Sequence, residues 1–279
     1  MIVVTGATGN VGRLLVAALA GAGEDVTAVS RRAGAEPLPA GVRHRAADLA
    51  RPEGPAVAFA GADAVYLLVA GVGAELDPRA IVGAAVAAGV RRIVLQSSQL
   101  AGTRPDSPSH APLRAFEAAV RDSGVEWTVL RPSGFASNAF LWSESGRAAR
   151  TVAAPFAETA LPVVDPADIA DVAAAALRED GHHGRTYVLT GPAAVSPREQ
   201  AAALALAVDA PVRFVAQTRT EARAHLVRFL PEPAVDGMLS VLGEPSAEER
   251  RVSPDVARVL GRAGRPFAAW AERNAAAFA

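Results

Sequence analysis

The first 135 residues of the chain alternate between short β-branched or apolar runs and alanine-rich stretches of helical length. The apolar runs predict strands at Ile2–Val4, Val26–Val29, Val42–His44, Ala64–Val69, Arg92–Gln96 and Trp127–Leu130. The stretches between them predict helices at Val11–Gly21, Pro78–Ala88 and Leu113–Ser123. Strands that alternate with helices indicate βαβ units, so the pattern predicts an α/β protein with a doubly wound parallel sheet covered on both faces.

Beyond residue 150 the pattern changes to longer helical stretches with one further strand. Asp165 and Pro166 form an N-cap and a first-turn proline that open a helix through Leu177. A strand is predicted at 186–189, and the segment 196–199 has the form of a capping box before another helix. We predict that the rest is helical. The predicted division is a sheet domain over 1–153 and a smaller, mostly helical part over 154–279, with the strand near 186–189 returning to the sheet.

Composition removes several classes of chemistry. The chain has no cysteine, which excludes disulfides, thiolate nucleophiles and cysteine-ligated zinc. All 28 basic residues are arginine, which excludes a Schiff-base lysine, a P-loop lysine and a Tyr–Lys catalytic pair. The net charge of -1 gives no basic footprint for nucleic acid, and no apolar stretch has the length of a membrane span. We therefore expect a cytoplasmic protein with no nucleic-acid or membrane partner and no metal site.

The strongest motif is the segment TGATGNVG at residues 5–12, which follows the first strand and opens the first helix. Gly6 permits the tight turn, Gly9 lets the backbone approach a pyrophosphate, and Gly12 lets the helix pack closely. This is the arrangement of a dinucleotide-binding Rossmann fold. The predicted cofactor contacts at the turn are Gly6, Thr8, Gly9, Asn10, Val11 and Gly12, and those after the fourth, fifth and sixth strands are Val69, Ala70, Ser97 and Pro132.

The end of the second strand indicates which dinucleotide is bound. A site for NAD carries an acidic residue there for the ribose hydroxyls, whereas this chain has Ser30, Arg31 and Arg32. A guanidinium and a hydroxyl suit a 2′-phosphate, so we predict NADP(H) as the cofactor. The alternative is that the two arginines are only solvated at a strand end. Asp48 and Leu49, after the third strand, are predicted at the adenine edge, although Asp48 also fits a plain N-cap.

With these residues identified, the chain resembles the NmrA-like group of atypical short-chain dehydrogenase/reductases over nearly its whole length. The matching segments are 5–12, 29–31, 48–49, 89–98, 117–124, 130–132, Phe135, Asn138, 164–170 and 189–192. The resemblance implies a Rossmann domain that binds NADP(H). It also implies one of two functions: reduction of small quinone-like or conjugated acceptors, or nucleotide sensing without catalysis.

The chain departs from the wider superfamily at the catalytic positions. Active members use a serine, a tyrosine and a lysine, but here the tyrosine position falls at Ser109 and the lysine position at Leu113. Reactions that need this acid/base pair are therefore disfavoured. Ser98 aligns with the superfamily serine and His110 borders the missing tyrosine, so both are candidate catalytic residues. The alternatives are that Ser98 only ends a strand and that His110 is a pocket wall.

An aromatic cluster indicates the substrate. Aromatic residues make up 5% of the chain, yet Phe135, Phe140 and Trp142 fall within eight positions after the sixth strand. We predict that they line an apolar substrate pocket together with Gln99, with Asn138 as a polar orienting group. The alternative is packing between the two parts of the chain or between subunits.

The sequence thus predicts an NADPH-dependent oxidoreductase for small conjugated or aromatic carbonyl compounds; the rival is an NADP(H) sensor that binds a protein partner. It leaves the oligomeric state open between monomer and homodimer.

Overall fold

The structure is a computed structural model that describes residues 1–34, 37–69 and 75–279. Its strands are β1 (Ile2–Thr5), β2 (Val26–Ser30), β3 (Arg43–Ala46), β4 (Ala64–Leu68), β5 (Arg92–Gln96), β6 (Glu126–Pro132), β7 (Thr151–Pro155), β8 (Arg185–Leu189) and β9 (Arg213–Gln217). Its α-helices are α1 (Gly12–Gly21), α2 (Gly54–Phe59), α3 (Pro78–Ala87), α4 (Gln99–Thr103), α5 (Ala111–Arg121), α6 (Ser143–Ala149), α7 (Pro166–Arg178), α8 (Pro197–Ala207), α9 (Arg219–Leu226), α10 (Glu232–Gly243), α11 (Ala247–Arg250), α12 (Asp255–Leu260) and α13 (Phe267–Arg273). Short 3₁₀ helices occupy Pro108–His110, Ala136–Trp142 and Ala275–Ala277.

Seven of these strands form one sheet in the order β3-β2-β1-β4-β5-β6-β8, and every pairing in it is parallel. The prediction of a doubly wound α/β sheet is therefore confirmed. The chain winds from β1 towards one edge through β2 and β3, and then from β4 towards the other edge. The strand order thus reverses between β1 and β4, which is the point where sheets of this kind bind ligands at the carboxyl ends of their strands.

Helices cover both faces of this sheet. On one face α2, α3 and α5 pack over a buried apolar cluster that includes Phe59, Ile81 and Phe116. On the other face α1 packs against α7, and α7 contacts β4, β5 and β6. Five of the six alanines of α7 are buried: Ala170, Ala173, Ala174, Ala175 and Ala176. Their small side chains allow α1, α7 and the sheet to approach closely, so the alanine-rich composition serves the core here.

Contacts divide the chain into two units whose segments interleave along the sequence. The first, the sheet unit, comprises Met1–Pro132, Pro166–Leu189 and Asp255–Arg262; the second comprises Ser133–Asp165, Thr190–Pro254 and Ala263–Ala279. The chain therefore leaves the sheet after β6, returns with α7 and β8, and returns again with α12. The predicted single boundary after residue 153 differs from this interleaved path, although a strand over 185–189 does join the sheet at its edge.

The second unit contains a small parallel sheet of β7 and β9 together with most of the later helices. The prediction that the chain after residue 196 is helical is wrong at β9, and β7 was also missed. Both strands are short, β7 has the alanine content of a helix, and each finds its partner about 60 residues away. Such non-local pairing leaves no periodic signal in the sequence. In the described ranges, no helix combines the length and apolarity needed to cross a membrane.

Candidate active site

The glycine turn after β1 has a tightly constrained backbone. Gly6 has a φ of 62°, and a Cβ built there would lie 2.3 Å from Cδ2 of Leu68. A Cβ on Gly12 would lie 2.2 Å from the carbonyl oxygen of Gly6. Only glycine fits at these two positions, since the first needs the left-handed region and the second brings α1 against the turn. The sequence predicted close packing of the helix at Gly12, and in the structure Gly12 packs against the backbone of the turn.

A groove of about 540 Å³ opens above this turn at the switch between β1 and β4. Its described lining residues are Thr5, Gly6, Thr8, Gly9, Val29, Ser30, Arg31, Ala47, Asp48, Leu49, Ala50, Leu68, Glu75 and Leu76. Seven predicted cofactor contacts are among them: Gly6, Thr8, Gly9, Ser30, Arg31, Asp48 and Leu49. Next to the start of α1 the groove is lined by the glycine backbone, which fits the pyrophosphate of a dinucleotide. At its other end it is lined by an arginine, which fits the ribose phosphate.

The other predicted cofactor residues take different places. Val11 and Gly12 are buried under the turn, Val69 and Pro132 are buried at the ends of β4 and β6, and Asn10 is exposed. Neither these five nor Arg32 and Ser97 belong to the described lining of the groove. Ala70 lies outside the described residues. Their predicted contacts with the cofactor stay predictions.

Ser30 makes two hydrogen bonds that the sequence did not predict. Its hydroxyl donates to the carbonyl oxygen of Arg32 at 2.6 Å and lies 2.9 Å from Nε2 of His44. Because the single hydroxyl proton goes to that carbonyl, His44 must be the donor in the second bond. Ser30 therefore holds the shape of the turn, and donation to a phosphate would require breaking this bond. Arg31 lines the groove with an exposed side chain, so the guanidinium is the group available for a phosphate.

A hydrogen bond to the Asp48 side chain shapes the loop after β3. Its Oδ1 accepts a hydrogen bond from the backbone of Ala50 at 3.1 Å, which is an Asx turn. A Cβ on Gly54 would lie 1.7 Å from the carbonyl oxygen of Asp48, so this loop and the start of α2 need a glycine there. Asp48 therefore shapes this loop and is not the N-cap of α2, which is Glu53, while the residue also lines the groove. Gly54 was missed because nothing in its sequence neighbourhood marks a close approach.

A buried carboxylate lies behind the end of β5. Glu117 of α5 is 1% exposed and accepts hydrogen bonds from Ser97 at 2.6 Å and from Nε and Nη2 of Arg131 at 2.9 and 2.7 Å. Arg121 adds a fourth bond at 2.8 Å. Burial alone would raise the pKa of Glu117, but the hydrogen bonds from Arg131 and Ser97 outweigh it and lower the pKa. The Ser97 hydroxyl is thus engaged in structure.

The two catalytic candidates occupy the carboxyl-terminal side of the sheet unit. Ser98 is the N-cap of α4, and its Oγ accepts from the backbone of Leu100 at 3.2 Å, which leaves its proton free to donate. Nδ1 of His110 lies 2.9 Å from Oγ of Ser109, which in turn lies 2.9 Å from Oγ of Ser107. Burial lowers the pKa of His110, with further lowering from Arg114 and Arg104, so this ring is neutral at pH 7.

The second unit encloses a predominantly apolar cavity of about 250 Å³. Phe135, Asn138 and Trp142 line it, so the structure brings together three of the five predicted substrate residues. Strand residues 153–155, helix α9 and helix α10 supply much of the rest. Sequence reasoning missed Gln200, Gln217 and His225 in this lining. They come from three separate elements, and no spacing in the sequence relates them.

The other two predicted substrate residues lie elsewhere. Phe140 packs against Trp270 and Phe278, with ring centroids 5.0 and 6.0 Å away, in the aromatic core of the second unit. Phe140 thus packs within the second unit, and its predicted contact with the substrate stays a prediction. Gln99 is buried as the first residue of α4 in the sheet unit. Neither is among the described residues that line the cavity.

Comparison with known proteins adds a family and full-length relatives. A family model described as NAD(P)H-binding matches residues 6–180, which is more than half of the chain. The match covers the glycine turn and most of the sheet strands.

Three of the similar proteins are reductases or oxidoreductases. A (4-alkanoyl-5-oxo-2,5-dihydrofuran-3-yl)methyl phosphate reductase of Streptomyces griseus subsp. griseus is 39% identical over 295 residues, covering 100% of this chain and 99% of its own. An NAD(P)H azoreductase of Xenophilus azovorans is 35% identical over 285 residues, with 100% and 99% covered. The crystal structure of an NADPH-dependent quinone oxidoreductase of Escherichia coli complexed with NADPH superposes with a TM-score of 0.80 at 23% identity, over 98% of this chain and 99% of that one. This last likeness shows a shared fold.

Proposed function

We propose that this chain, which belongs to the NAD(P)H-binding family and resembles the NmrA-like atypical short-chain dehydrogenase/reductases, is an NADPH-dependent reductase of small conjugated or aromatic acceptors. The observation that carries the proposal is the pairing, in one chain, of a glycine-floored groove ending at Arg31 with an apolar cavity that lacks charged lining residues among those described. Support comes from the two full-length relatives, both named as reductases.

The residues of the groove can bind the pyrophosphate, the 2′-phosphate and the adenine of the dinucleotide. The backbone at Gly6 and Gly9 and the start of α1 accommodate the pyrophosphate, because their N–H groups and the helix dipole favour negative charge. Arg31 takes the 2′-phosphate through charge-assisted hydrogen bonds, and Asp48 and Leu49 lie at the adenine edge. When bound, NADPH supplies a hydride.

The chain then has to supply a proton to the reduced acceptor without a tyrosine–lysine pair. A quinone or an extended enone spreads the negative charge of its reduced form over several atoms, so a weak donor suffices. Ser98 has a free hydroxyl proton, and neutral His110 has one N–H proton whose position Ser109 helps to fix. We propose these two groups as the proton donors.

The apolar cavity selects and orients the acceptor. Phe135 and Trp142 offer flat apolar surfaces for an aromatic or conjugated ring, and the Asn138 amide can hydrogen-bond to a carbonyl oxygen.

Steady-state NADPH oxidation against a panel of quinones, azo dyes and enones tests this function, alongside a titration of NADPH binding. We expect turnover with at least one acceptor class, and a loss of at least about tenfold in kcat/KM for Trp142→Ala. Leu206→Ala, at a side chain that is 83% exposed, is the control and should leave kcat/KM unchanged. Tight NADPH binding without oxidation of any acceptor would contradict the proposal and favour the nucleotide sensor.

A further inference from the structure

The cavity of the second unit has an uncharged wall. Among the described residues that line it there is no arginine, aspartate or glutamate. Its polar side chains are those of Asn138, Ser145, Thr159, Gln200, Gln217 and His225. Charged residues make up 20% of the chain, so a described lining without them is distinctive. It determines which molecules the cavity accepts.

Some of these polar groups are already engaged. Oγ of Ser145 donates to the carbonyl oxygen of Trp142 at 3.2 Å, and Nε2 of Gln200 donates to the carbonyl oxygen of Val195 at 3.4 Å. Among the described residues, the side-chain amides of Asn138 and Gln217 have no hydrogen-bond partner. Each amide offers neutral donors and an acceptor, which suits carbonyl, hydroxyl or azo groups.

A phosphate monoester fits this wall poorly. It carries between about 1.5 and 2 negative charges at pH 7. Burial of a charge without a paired cation is strongly unfavourable, and neutral amides compensate only part of the lost hydration. A neutral ring of the same shape loses little hydration and gains apolar contact with Phe135, Leu226 and Met238.

The volume limits the size of the acceptor. At about 250 Å³, the cavity lies below the range of roughly 300 to 1,000 Å³ that is usual for sites of drug-sized ligands. One or two fused rings are therefore the natural occupants.

We propose that the cavity selects uncharged one- or two-ring conjugated acceptors and discriminates against their phosphate monoesters. This inference rests on the proposed reductase function and specifies its substrate class. It separates this chain from the Streptomyces griseus relative, which is named for a phosphate ester.

The test compares acceptors that share a ring system and differ in a charged substituent: an acyl-butenolide with a free hydroxymethyl group against its phosphate monoester, and 1,2-naphthoquinone against its 4-sulfonate. We expect kcat/KM to be at least about 100-fold higher for the neutral member of each pair. Equal or greater kcat/KM for the charged members would overturn the inference.

Variants add a second readout. Gln217→Arg places a cation in the lining and should raise kcat/KM for the phosphate ester at least about tenfold relative to the alcohol. Ala216→Arg is the matched control. Ala216 precedes Gln217 on β9, is exposed, lies outside the described lining and points to the opposite face of the strand, so the preference for the neutral acceptor should not change. His225→Gln removes the titratable group of the described lining and should also leave the preference intact.

Binding measurements keep this inference separate from the proposed function. Calorimetric titration of each acceptor pair into the NADP⁺-loaded protein reports the charge preference even if no acceptor is reduced. Tight binding of the neutral members without turnover would contradict the reductase function and uphold the cavity assignment. Turnover confined to the charged members would do the reverse.

Discussion

Arg131 holds the buried carboxylate of Glu117 with two hydrogen bonds, from Nε at 2.9 Å and from Nη2 at 2.7 Å. The pair joins the end of β6 to the middle of α5, just before the chain leaves the sheet unit. A Cβ on Gly102 would lie 2.3 Å from Nη1 of Arg131, so α4 also approaches the guanidinium closely. The ends of β5 and β6, which carry Ser98 and Pro132, are thus fixed by one ion pair.

Replacement of the carboxylate should be costly for stability. Glu117→Gln leaves Arg131 and Arg121 without their charge partner, and we expect the free energy of unfolding at pH 7 to fall by about 3 kcal/mol. Ser97→Ala removes one bond to the same carboxylate and should cost about 1.5 kcal/mol. Urea denaturation with both variants measures the two losses. A Glu117→Gln protein as stable as the wild type would contradict the structural role of the pair.

The same pair predicts a response to acid. The pKa of Glu117 is lowered from 4.5 in the folded state, so the unfolded chain binds the proton more readily. The stabilisation is therefore complete above pH 4.5 and is lost as the pH falls through and below that value. Urea midpoints measured between pH 7 and pH 3.5 should decline less steeply for Glu117→Gln than for the wild type. Parallel declines would show that Glu117 does not contribute to the acid response.

The turn at Gly12 gives a prediction on cofactor binding. In Gly12→Ala the new Cβ would meet the Gly6 carbonyl oxygen at 2.2 Å and Cα of Ala7 at 2.8 Å, so α1 must move away from the turn. We expect NADPH affinity to fall at least tenfold and the free energy of unfolding to fall by about 1 to 3 kcal/mol. Fluorescence titration with NADPH and thermal unfolding measure the two effects.

Gly21→Ala, at the other end of the same helix, is the control for that variant. A Cβ there meets nothing within 4 Å, and the backbone needs no positive φ. This substitution should raise stability by about 0.5 to 1 kcal/mol and leave NADPH affinity unchanged. Equal NADPH affinity in Gly12→Ala and Gly21→Ala would show that the close approach at Gly12 has no bearing on the cofactor.

How much the sequence could predict depends on how local each feature is. The sheet, the glycine turn and the capping box at Ser196 each rest on neighbouring residues, and they were confirmed. The cavity combines Gln200, Gln217 and His225 from separate elements, and the β7–β9 pairing joins distant segments. The hydrogen bonds of Ser30 with Arg32 and His44 likewise depend on the folded positions of these residues, so the sequence does not reveal them.

The contribution of His110 should depend on the acceptor. Burial, with Arg114 and Arg104, lowers the pKa of His110, so the neutral ring persists above pH 6.5 and the rate should show no inflection near pH 7. An enone gives a more basic and less stable reduced form than a quinone, so its reduction depends more on proton transfer from a nearby group. We expect His110→Ala to lower kcat by about 100-fold for an enone but only about threefold for a quinone. Equal losses with both acceptors would indicate a structural role alone.

Arg31 should decide the choice between NADPH and NADH. It lines the groove, whereas Arg32 next to it does not, and both side chains are exposed. A charge-assisted hydrogen bond to a phosphate contributes about 1.5 to 3 kcal/mol, and solvent screening at an exposed site favours the lower end, or about tenfold in affinity. Arg31→Ala should therefore weaken NADPH binding about tenfold or more and leave NADH binding nearly unchanged. Arg32→Ala carries the same change of charge outside the groove, so its effect should be about threefold or less. Titrations of both nucleotides at low ionic strength measure these differences; equal losses in the two variants, or a matching loss for NADH, would contradict the assignment of Arg31 to the 2′-phosphate.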